Sequence, residues 1–219
     1  MKKKIIIIGG SKGIGKAIDN IFKRDDAYLT FPMSSKTLDT SNIHSINKFI
    51  RIHKKTDILV LNTGGPPKSS NIYDISYEEW IKNFNQLFFG FYKILTNIKI
   101  AKNGYVFLIS SHLIETQNTD MVISASLRTG FLHVFKALSV SLAKNKITCL
   151  NIAPGPIKTD RLMSLNNGNI EKLKNIIPAG YVSSPNELSK FIYSLVKNKI
   201  KYLTNKTIIF DGGISNRFL

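Results

Sequence analysis

The sequence predicts an α/β domain in which a doubly wound parallel sheet carries helices on both faces. Three observations lead there. The chain opens with Lys3, Lys4 and the four isoleucines Ile5–Ile8, followed at once by the glycine-rich run Gly9-Gly10-Ser11-Lys12-Gly13-Ile14-Gly15. Strand-length apolar runs alternate with segments of helical period from end to end, the pattern of successive β-α-β units. Those runs are apolar at consecutive positions, as strands must be when both faces of a parallel sheet are buried.

The elements follow in order. A strand is expected over Lys3 to Ile8, then a helix after Gly13, where Ile14, Ala17, Ile18 and Ile21 recur at the i, i+3, i+4, i+7 spacing of one helical face. Further strands are expected near Ala27 to Phe31, Ile58 to Leu61, Tyr105 to Ser110, Ile147 to Ile152 and Thr207 to Phe210, with a short additional one before Asp39. Helices should follow Ser41, Ser76, Ser124 and Ser184. The last has an N-cap (Ser184), a first-turn proline (Pro185) and the acid of a capping box (Glu187). Trp80, Phe84, Leu87, Phe88, Phe91 and Leu95 form one heavy apolar face, and Leu127, Phe131, Val134, Phe135, Leu138 and Leu142 another. Most of these belong to the core, and the surplus of aromatics marks an expected contact between copies, in a homodimer or homotetramer. The Asn-rich segment from Met163 to Gly180 is expected to be a mobile loop that closes over a substrate.

With 219 residues, 43% of them hydrophobic, the chain has enough apolar material for one core, and residues 1–219 are expected to form a single dinucleotide-binding domain. The first apolar run ends at Gly9, too soon for a signal peptide, and no stretch is long enough to cross a bilayer, so the cytoplasm and no membrane partner are expected. One cysteine, Cys149, excludes an internal disulfide and sits in an apolar run that suggests a buried, inert thiol. The net charge of +17 raises the question of nucleic acid, but the lysines are dispersed, in an Ile- and Asn-rich bias of the kind found in bacterial proteins. A dispersed charge is a solvated surface that attracts an anionic cofactor or substrate, and no nucleic-acid partner is expected. No Cys/His constellation has metal-ligand spacing, so no metal is expected.

The strand, glycine turn and helix start together read as a nucleotide phosphate site. Glycines permit positive φ and close approach of a diphosphate, and the unpaired N–H groups at the helix start favour an anion. Gly9, Ser11, Lys12, Gly13, Ile14 and Gly15 are its candidate residues.

With these landmarks placed, the chain resembles the short-chain dehydrogenase/reductase family over its full length. Gly9, Gly13 and Gly15 match the family's TGxxxGxG turn, with Ile8 in place of threonine, and Leu61-Asn62-Thr63-Gly64 stands where the family has Asn-Asn-Ala-Gly. Asp39-Thr40 resembles the acid that holds the adenine, and Ala153-Pro154-Gly155-Pro156-Ile157-Lys158-Thr159 resembles the segment that brings a threonine to the nicotinamide carboxamide. Ser184-Pro185-Asn186-Glu187-Leu188 and Asp211-Gly212-Gly213 complete the pattern. The resemblance implies a single-domain Rossmann fold and adds Ser34, Asp39, Thr40, Asn62, Gly64, Arg128, Pro154, Gly155, Ile157 and Thr159 to the cofactor-binding candidates. Phe31-Pro32-Met33-Ser34-Ser35-Lys36 has no acid to hold a ribose 2′-hydroxyl, and Lys12 and Lys36 suit a 2′-phosphate, which favours NADP over NAD.

The family's serine, tyrosine and lysine map onto Ser111, Ser124 and Arg128 when counted without gaps from Ser110-Ser111 or back from Pro154-Gly155. A one-residue shift would install Ile123 and Leu127 instead. The family's asparagine falls on Leu87, or on Asn85 if the helix register slips. Serine titrates far above a tyrosine tuned by a neighbouring cation, so general-acid help would be weaker by about 10²- to 10⁴-fold. Asn62-Thr63-Gly64-Gly65-Pro66-Pro67 resembles a divergent branch in which the tyrosine and lysine are likewise replaced. His112, beside Ser111, is a candidate substitute proton donor; Glu115 and Tyr181 are further contributors from flexible segments. The expected activity is NADP-dependent hydride transfer between a carbonyl and an alcohol on a small-molecule substrate. The alternative is a nucleotide-binding member without turnover that acts as a sensor, scaffold or partner subunit.

Overall fold

The computed structural model describes residues 1–69, 71–116 and 118–215. Six strands, β1 (Lys3–Ile7), β2 (Tyr28–Pro32), β3 (Lys55–Leu61), β4 (Lys99–Ile109), β5 (Thr148–Pro154) and β6 (Lys206–Phe210), form one parallel sheet in the order β2-β1-β3-β4-β5-β6. From β1 the chain moves outward to β2 and then crosses back to place β3 on the other side of β1. That reversal opens a crevice beyond the C-terminal ends of β1 and β3, the place where open α/β sheets bind ligands.

Because successive side chains on a strand point to opposite faces, the isoleucines of β1 divide between two cores. Ile6 joins Leu59, Leu61, Val106 and Leu108 beneath α2 (Ile43–Ile52), α4 (Gly90–Asn97) and α5 (Val122–Ala143). Ile5 and Ile7 join Ile58, Val60, Phe107, Leu150 and Ile152 beneath α1 (Gly13–Lys23) and α8 (Pro185–Lys197). Phe91 of α4 and Phe131 of α5 are buried with ring centroids 5.7 Å apart, locking those helices together over the first face. Cys149 is fully buried, and burial pushes its thiol up to about 11, in keeping with an inert side chain. Among the described residues no helix is long and apolar enough to cross a membrane.

Several expectations need correction. The segment before Asp39 adds no strand: Thr37 and Leu38 both donate to the Ser34 carbonyl, which closes it into a turn and leaves β2 at the sheet edge. The helix expected after Ser41 is capped by Asn42, whose Oδ1 accepts from His44 and Ser45 N–H at 2.9 and 3.2 Å. The helix expected after Ser124 starts at Val122, placing Ser124 inside its first turn. The helix after Ser76 is interrupted: α3 (Tyr77–Phe84) passes through a π turn at Asn85–Phe89 before α4 resumes the regular period. Half of the Met163–Gly180 segment, expected as a loop, is helical, in α6 (Asp160–Leu165) and α7 (Glu171–Ile176). Ser184 caps α8 as expected, accepting from Glu187 N–H at 3.1 Å, while the Glu187 carboxylate accepts from the Ser183 and Tyr181 hydroxyls at 2.7 and 2.8 Å.

Candidate functional site

The glycine turn forms the floor of the crevice. Gly9 and Gly13 take φ of 64° and 51°, and a Cβ on Gly15 would collide with the Gly9 carbonyl oxygen. Asn62 holds the turn from the end of β3, its Nδ2 donating to the Gly9 carbonyl at 3.2 Å. Asn62 therefore shapes the phosphate cradle from behind. Lys12 caps α1 without a side-chain hydrogen bond and the first turn contains no acid, so the positive end of the helix is neither screened nor occupied by its own side chains. Ser11 and Lys12 are exposed and Ile14 half-buried along this rim. These residues fit a dinucleotide diphosphate.

At the end of β2, Ser34 N–H donates to Thr37 Oγ1 at 2.9 Å, and Ser35 and Lys36 are exposed. Asp39 is exposed and its Oδ1 accepts from Ser41 N–H and Oγ at 2.9 and 2.7 Å, while Thr40 is buried with its carbonyl against Gly90. One oxygen of the carboxylate expected at the adenine is thus engaged within its own turn. On the far wall, Gly155 N–H donates to the Phe210 carbonyl and Ile157 is buried in an isolated bridge to Ser183, which fixes Pro154–Ile157 against β6. Thr159 lies over the glycine turn with its Cγ2 3.2 Å from where a Gly13 Cβ would stand, and its Oγ1 caps α6 by accepting from Leu162 N–H at 3.2 Å.

The chemistry-bearing residues gather above this floor. Arg128 Nε donates to Ser124 Oγ at 3.2 Å, one helical turn away on α5. Its Nη1 donates to the Ile109 and Ser110 carbonyls at 3.1 and 3.2 Å, and Nη2 to the Thr63 carbonyl at 3.4 Å. Four of the five guanidinium N–H donors thus tie α5 to the ends of β3 and β4. Because Ser124 Oγ accepts from a cation, its own O–H is free to donate elsewhere. Ile123 and Leu127, the alternative register, are buried with Leu87 in a separate apolar cluster. The structure therefore brings Ser124 and Arg128 to the crevice and keeps Ile123 and Leu127 out of it. Ser111 lies half-buried two residues beyond the end of β4, with Oγ accepting from Leu113 N–H at 3.3 Å. Burial lowers the Arg128 guanidinium to about 10, with repulsion from Arg161 adding to it, so it stays charged at neutral pH.

The other candidates make contacts of their own. His112 Nδ1 lies 3.3 Å from the Pro154 carbonyl, which can only accept, so that nitrogen carries the proton. Burial holds the imidazole below its ordinary range despite the opposing influence of Pro154 and Asp211. His112 is a neutral link between β4 and β5 at pH 7. Glu115 is exposed, and Tyr181 spends its hydroxyl on Glu187. Tyr181 lines a cleft of about 350 Å³ with Pro156, Ile177, Glu187 and Asp211, to which Ser111, Ser124 and Arg128 contribute nothing. Of the residues weighed for the asparagine position, Leu87 is buried among apolar groups. It is the neighbouring Gln86 that reaches the site, its Nε2 donating to Thr63 Oγ1 at 3.1 Å and the Gly64 carbonyl at 2.8 Å.

Sequence reasoning also missed Gly65 and Arg161. A Cβ at residue 65 would stand 3.0 Å from Arg161 Nη2, 3.2 Å from Ser124 Oγ and 3.5 Å from Arg128 Nη2. Arg161 Nη1 and Nη2 donate to the Gly65 and Pro66 carbonyls, both at 2.7 Å, and so clip α6 down onto the loop after β3. The first glycine beyond the Asn62-Thr63-Gly64 motif was the one available signal, since a second glycine there serves close packing of polar groups.

Comparison with known proteins gives a consistent result. A family model described as enoyl-(acyl carrier protein) reductase matches residues 37–215. The 3-oxoacyl-[acyl-carrier-protein] reductase FabG of Aggregatibacter actinomycetemcomitans is 31% identical over 244 aligned positions, covering 98% of this chain and 100% of that protein. FabG of Chlamydia pneumoniae is 25% identical over 242, covering 97% of each. Among solved structures, a short chain dehydrogenase family protein from Francisella tularensis aligns with a TM-score of 0.90 and 20% identity over 99% of this chain and 100% of that one. A small-chain dehydrogenase in complex with NADPH gives 0.86 and 20% over the same shares. The chain belongs to the short-chain dehydrogenase/reductase family.

Proposed function

We infer that the protein is an NADP-dependent oxidoreductase that interconverts a carbonyl and an alcohol by hydride transfer, with Ser124 and Arg128 standing where most relatives use a tyrosine and a lysine. The observation that carries this reading is the Arg128 Nε to Ser124 Oγ hydrogen bond at 3.2 Å, facing Gly65 in the loop after β3. NADP is supported by Ser34, Ser35, Lys36 and Lys12 at the rim, by the absence of an acid between Phe31 and Leu38, and by NADPH in the solved relatives BdcA and the small-chain dehydrogenase. Bound there, the nicotinamide supplies or accepts the hydride. Gly9, Gly13, Ile14 and Gly15 hold the diphosphate on backbone N–H groups; Asn62, Gly64, Pro154, Gly155, Ile157 and Thr159 wall the crevice. Ser111 polarises the substrate oxygen. Ser124, or a water it orients, delivers the proton to that oxygen as it gains charge, and the fixed positive charge of Arg128 stabilises the developing alkoxide. The remaining Arg128 N–H is available to a ribose hydroxyl.

Association through the α3–α5 face is supported by exposed Ile81, Phe84, Phe89, Tyr92 and Val140, so a homodimer or homotetramer acting in the cytoplasm completes the reading. The test is NADPH binding followed by coenzyme oxidation with a panel of aldehydes, ketones and 3-oxoacyl thioesters, the last chosen because the FabG relatives are named for such a substrate. Turnover that falls on Ser111→Ala supports the mechanism; turnover that ignores it removes Ser111. Tight NADPH binding without oxidation across the panel favours the nucleotide-binding role without turnover.

A further inference from the structure

Two arginines reach the loop after β3, and among the described residues neither forms an ion pair with an acid. Arg128 and Arg161 both come within 3.5 Å of the place where a residue-65 Cβ would stand. The ion pairs among the described residues, Lys2–Asp26, Lys174–Glu171 and Lys197–Asp25, include neither arginine. Their contacts are with neutral carbonyls and one hydroxyl, and each is partly buried. Two guanidiniums pressed together in a half-dry crevice repel, and an anion between or beside them relieves that repulsion.

The two differ in what they have left to offer. Arg128 has committed four of its five N–H donors to protein atoms and is a fixed strut. Arg161 uses one hydrogen on each Nη, which leaves its Nε–H and a second hydrogen on each Nη for a planar anion. It can therefore bind a carboxylate without releasing Gly65 and Pro66. It also sits beside Ser124, through the shared contact at residue 65, so the anion it holds lies close to the carbonyl that Ser124 would protonate.

We propose that Arg161 is the substrate-specificity residue of this site, and that the substrate is a small oxo acid whose carboxylate Arg161 binds near the reacting carbonyl. The proposal rests on the carbonyl-reductase reading and extends it to the substrate class.

The experiment titrates oxamate, an unreactive oxo-acid mimic, into the NADPH complex, and acetamide as its uncharged counterpart. NADPH fluorescence is the readout, in the natural protein, Arg161→Gln and Arg161→Lys. Expected are saturable oxamate binding, no acetamide binding, at least a tenfold loss of oxamate affinity in Arg161→Gln with partial recovery in Arg161→Lys, and NADPH affinity unchanged within about threefold. Equal oxamate affinity in all three proteins, or acetamide binding as well as oxamate, overturns the proposal. So does a tenfold loss of NADPH affinity with oxamate unaffected, which would assign Arg161 to the coenzyme diphosphate. Oxamate is also titrated into the coenzyme-free protein with thermal unfolding as readout. Protection lost in Arg161→Gln supports the anion site even where NADPH itself fails to bind, and absence of protection there with absence of NADPH binding refutes both readings separately.

Discussion

Replacing Gly15 by alanine tests whether the glycine turn grips a diphosphate. The new Cβ would lie 2.8 Å from the Gly9 carbonyl carbon, closer still to its oxygen, and 3.0 Å from Asn62 Nδ2. The optimal separation of two carbons is about 3.5 Å or more, so α1 and the turn must part by about 0.7–1 Å. The two Gly9 atoms are backbone and cannot swing aside. Overpacking of this kind costs about 1–3 kcal/mol of stability. The same displacement stretches the charge-assisted hydrogen bonds from the helix start to a phosphate, each worth about 1.5–3 kcal/mol, so losing two weakens NADPH by about 10²- to 10⁴-fold. Calorimetric titration with NADPH, alongside chemical denaturation, measures both effects. Gly180→Ala is the control: it has φ of 75° but nothing within 4 Å, so it carries backbone strain of about 1–2 kcal/mol without a collision. If Gly15→Ala binds NADPH within twofold of the natural protein while folded, the diphosphate does not lie on this turn. If Gly180→Ala loses affinity equally, the loss comes from general instability.

Removing the Ser124 hydroxyl by Ser124→Ala should lower kcat by about 10²-fold or more if Ser124 is the proton donor, with NADPH affinity preserved; an unchanged kcat assigns proton delivery to water. Lys12→Ala combined with Lys36→Ala removes two exposed cations worth up to about 1 kcal/mol each, so the ratio of NADPH to NADH affinity should fall about 5- to 30-fold, and a constant ratio would refute the 2′-phosphate assignment. The Asp25 carboxylate accepts from Lys197 at 2.8 Å, Ala27 N–H at 2.9 Å and the Tyr193 hydroxyl at 2.7 Å, which holds it well below the usual carboxylate range. A group depressed in the folded state stabilises above its unfolded value near 3.9 and loses that contribution as pH falls through its folded value. Asp25→Asn should therefore lose stability at neutral pH and flatten the acid decline below about pH 4. An identical acid profile in urea titrations would show that this cluster does not couple α1 to α8.

The parts of the site that belong to continuous segments could be read from the residues. Gly9 to Gly15 announce a turn because four buried isoleucines precede them and an amphipathic period follows, and Ser184-Pro185 announces a helix start by local chemistry alone. Ser124 and Arg128 could be placed by counting, and the structure puts Ile123 and Leu127 in an apolar cluster with Leu87 while Ser124 and Arg128 bond to each other. Arg161 was invisible for a different reason. Its partners Gly65 and Pro66 lie almost a hundred residues earlier, and no local pattern tells a surface arginine from one folded against a distant loop. The local engagement of Asp39 was not read either: an aspartate two residues before a serine can accept from it, and here Oδ1 does. The extra strand failed because Ser34, Thr37 and Leu38 make turn hydrogen bonds more readily than Ser35 and Lys36 could contribute to a buried ladder.

The π turn at Asn85–Phe89 inserts a wider coil between two regular helical stretches. Each residue of an α-helix advances the azimuth by about 100°, so the turn resets the phase between Trp80, which packs beside Leu87, and Phe91, which packs over the sheet. A shortening by one residue at this point would rotate Phe91, Ile94 and Leu95 out of their interior positions together, while Tyr77 to Phe84 kept theirs. The chain length through residues 85 to 89 thus sets which faces of the two flanking helices are buried, and indels here should be far less tolerated than in the polar turns at the opposite edge.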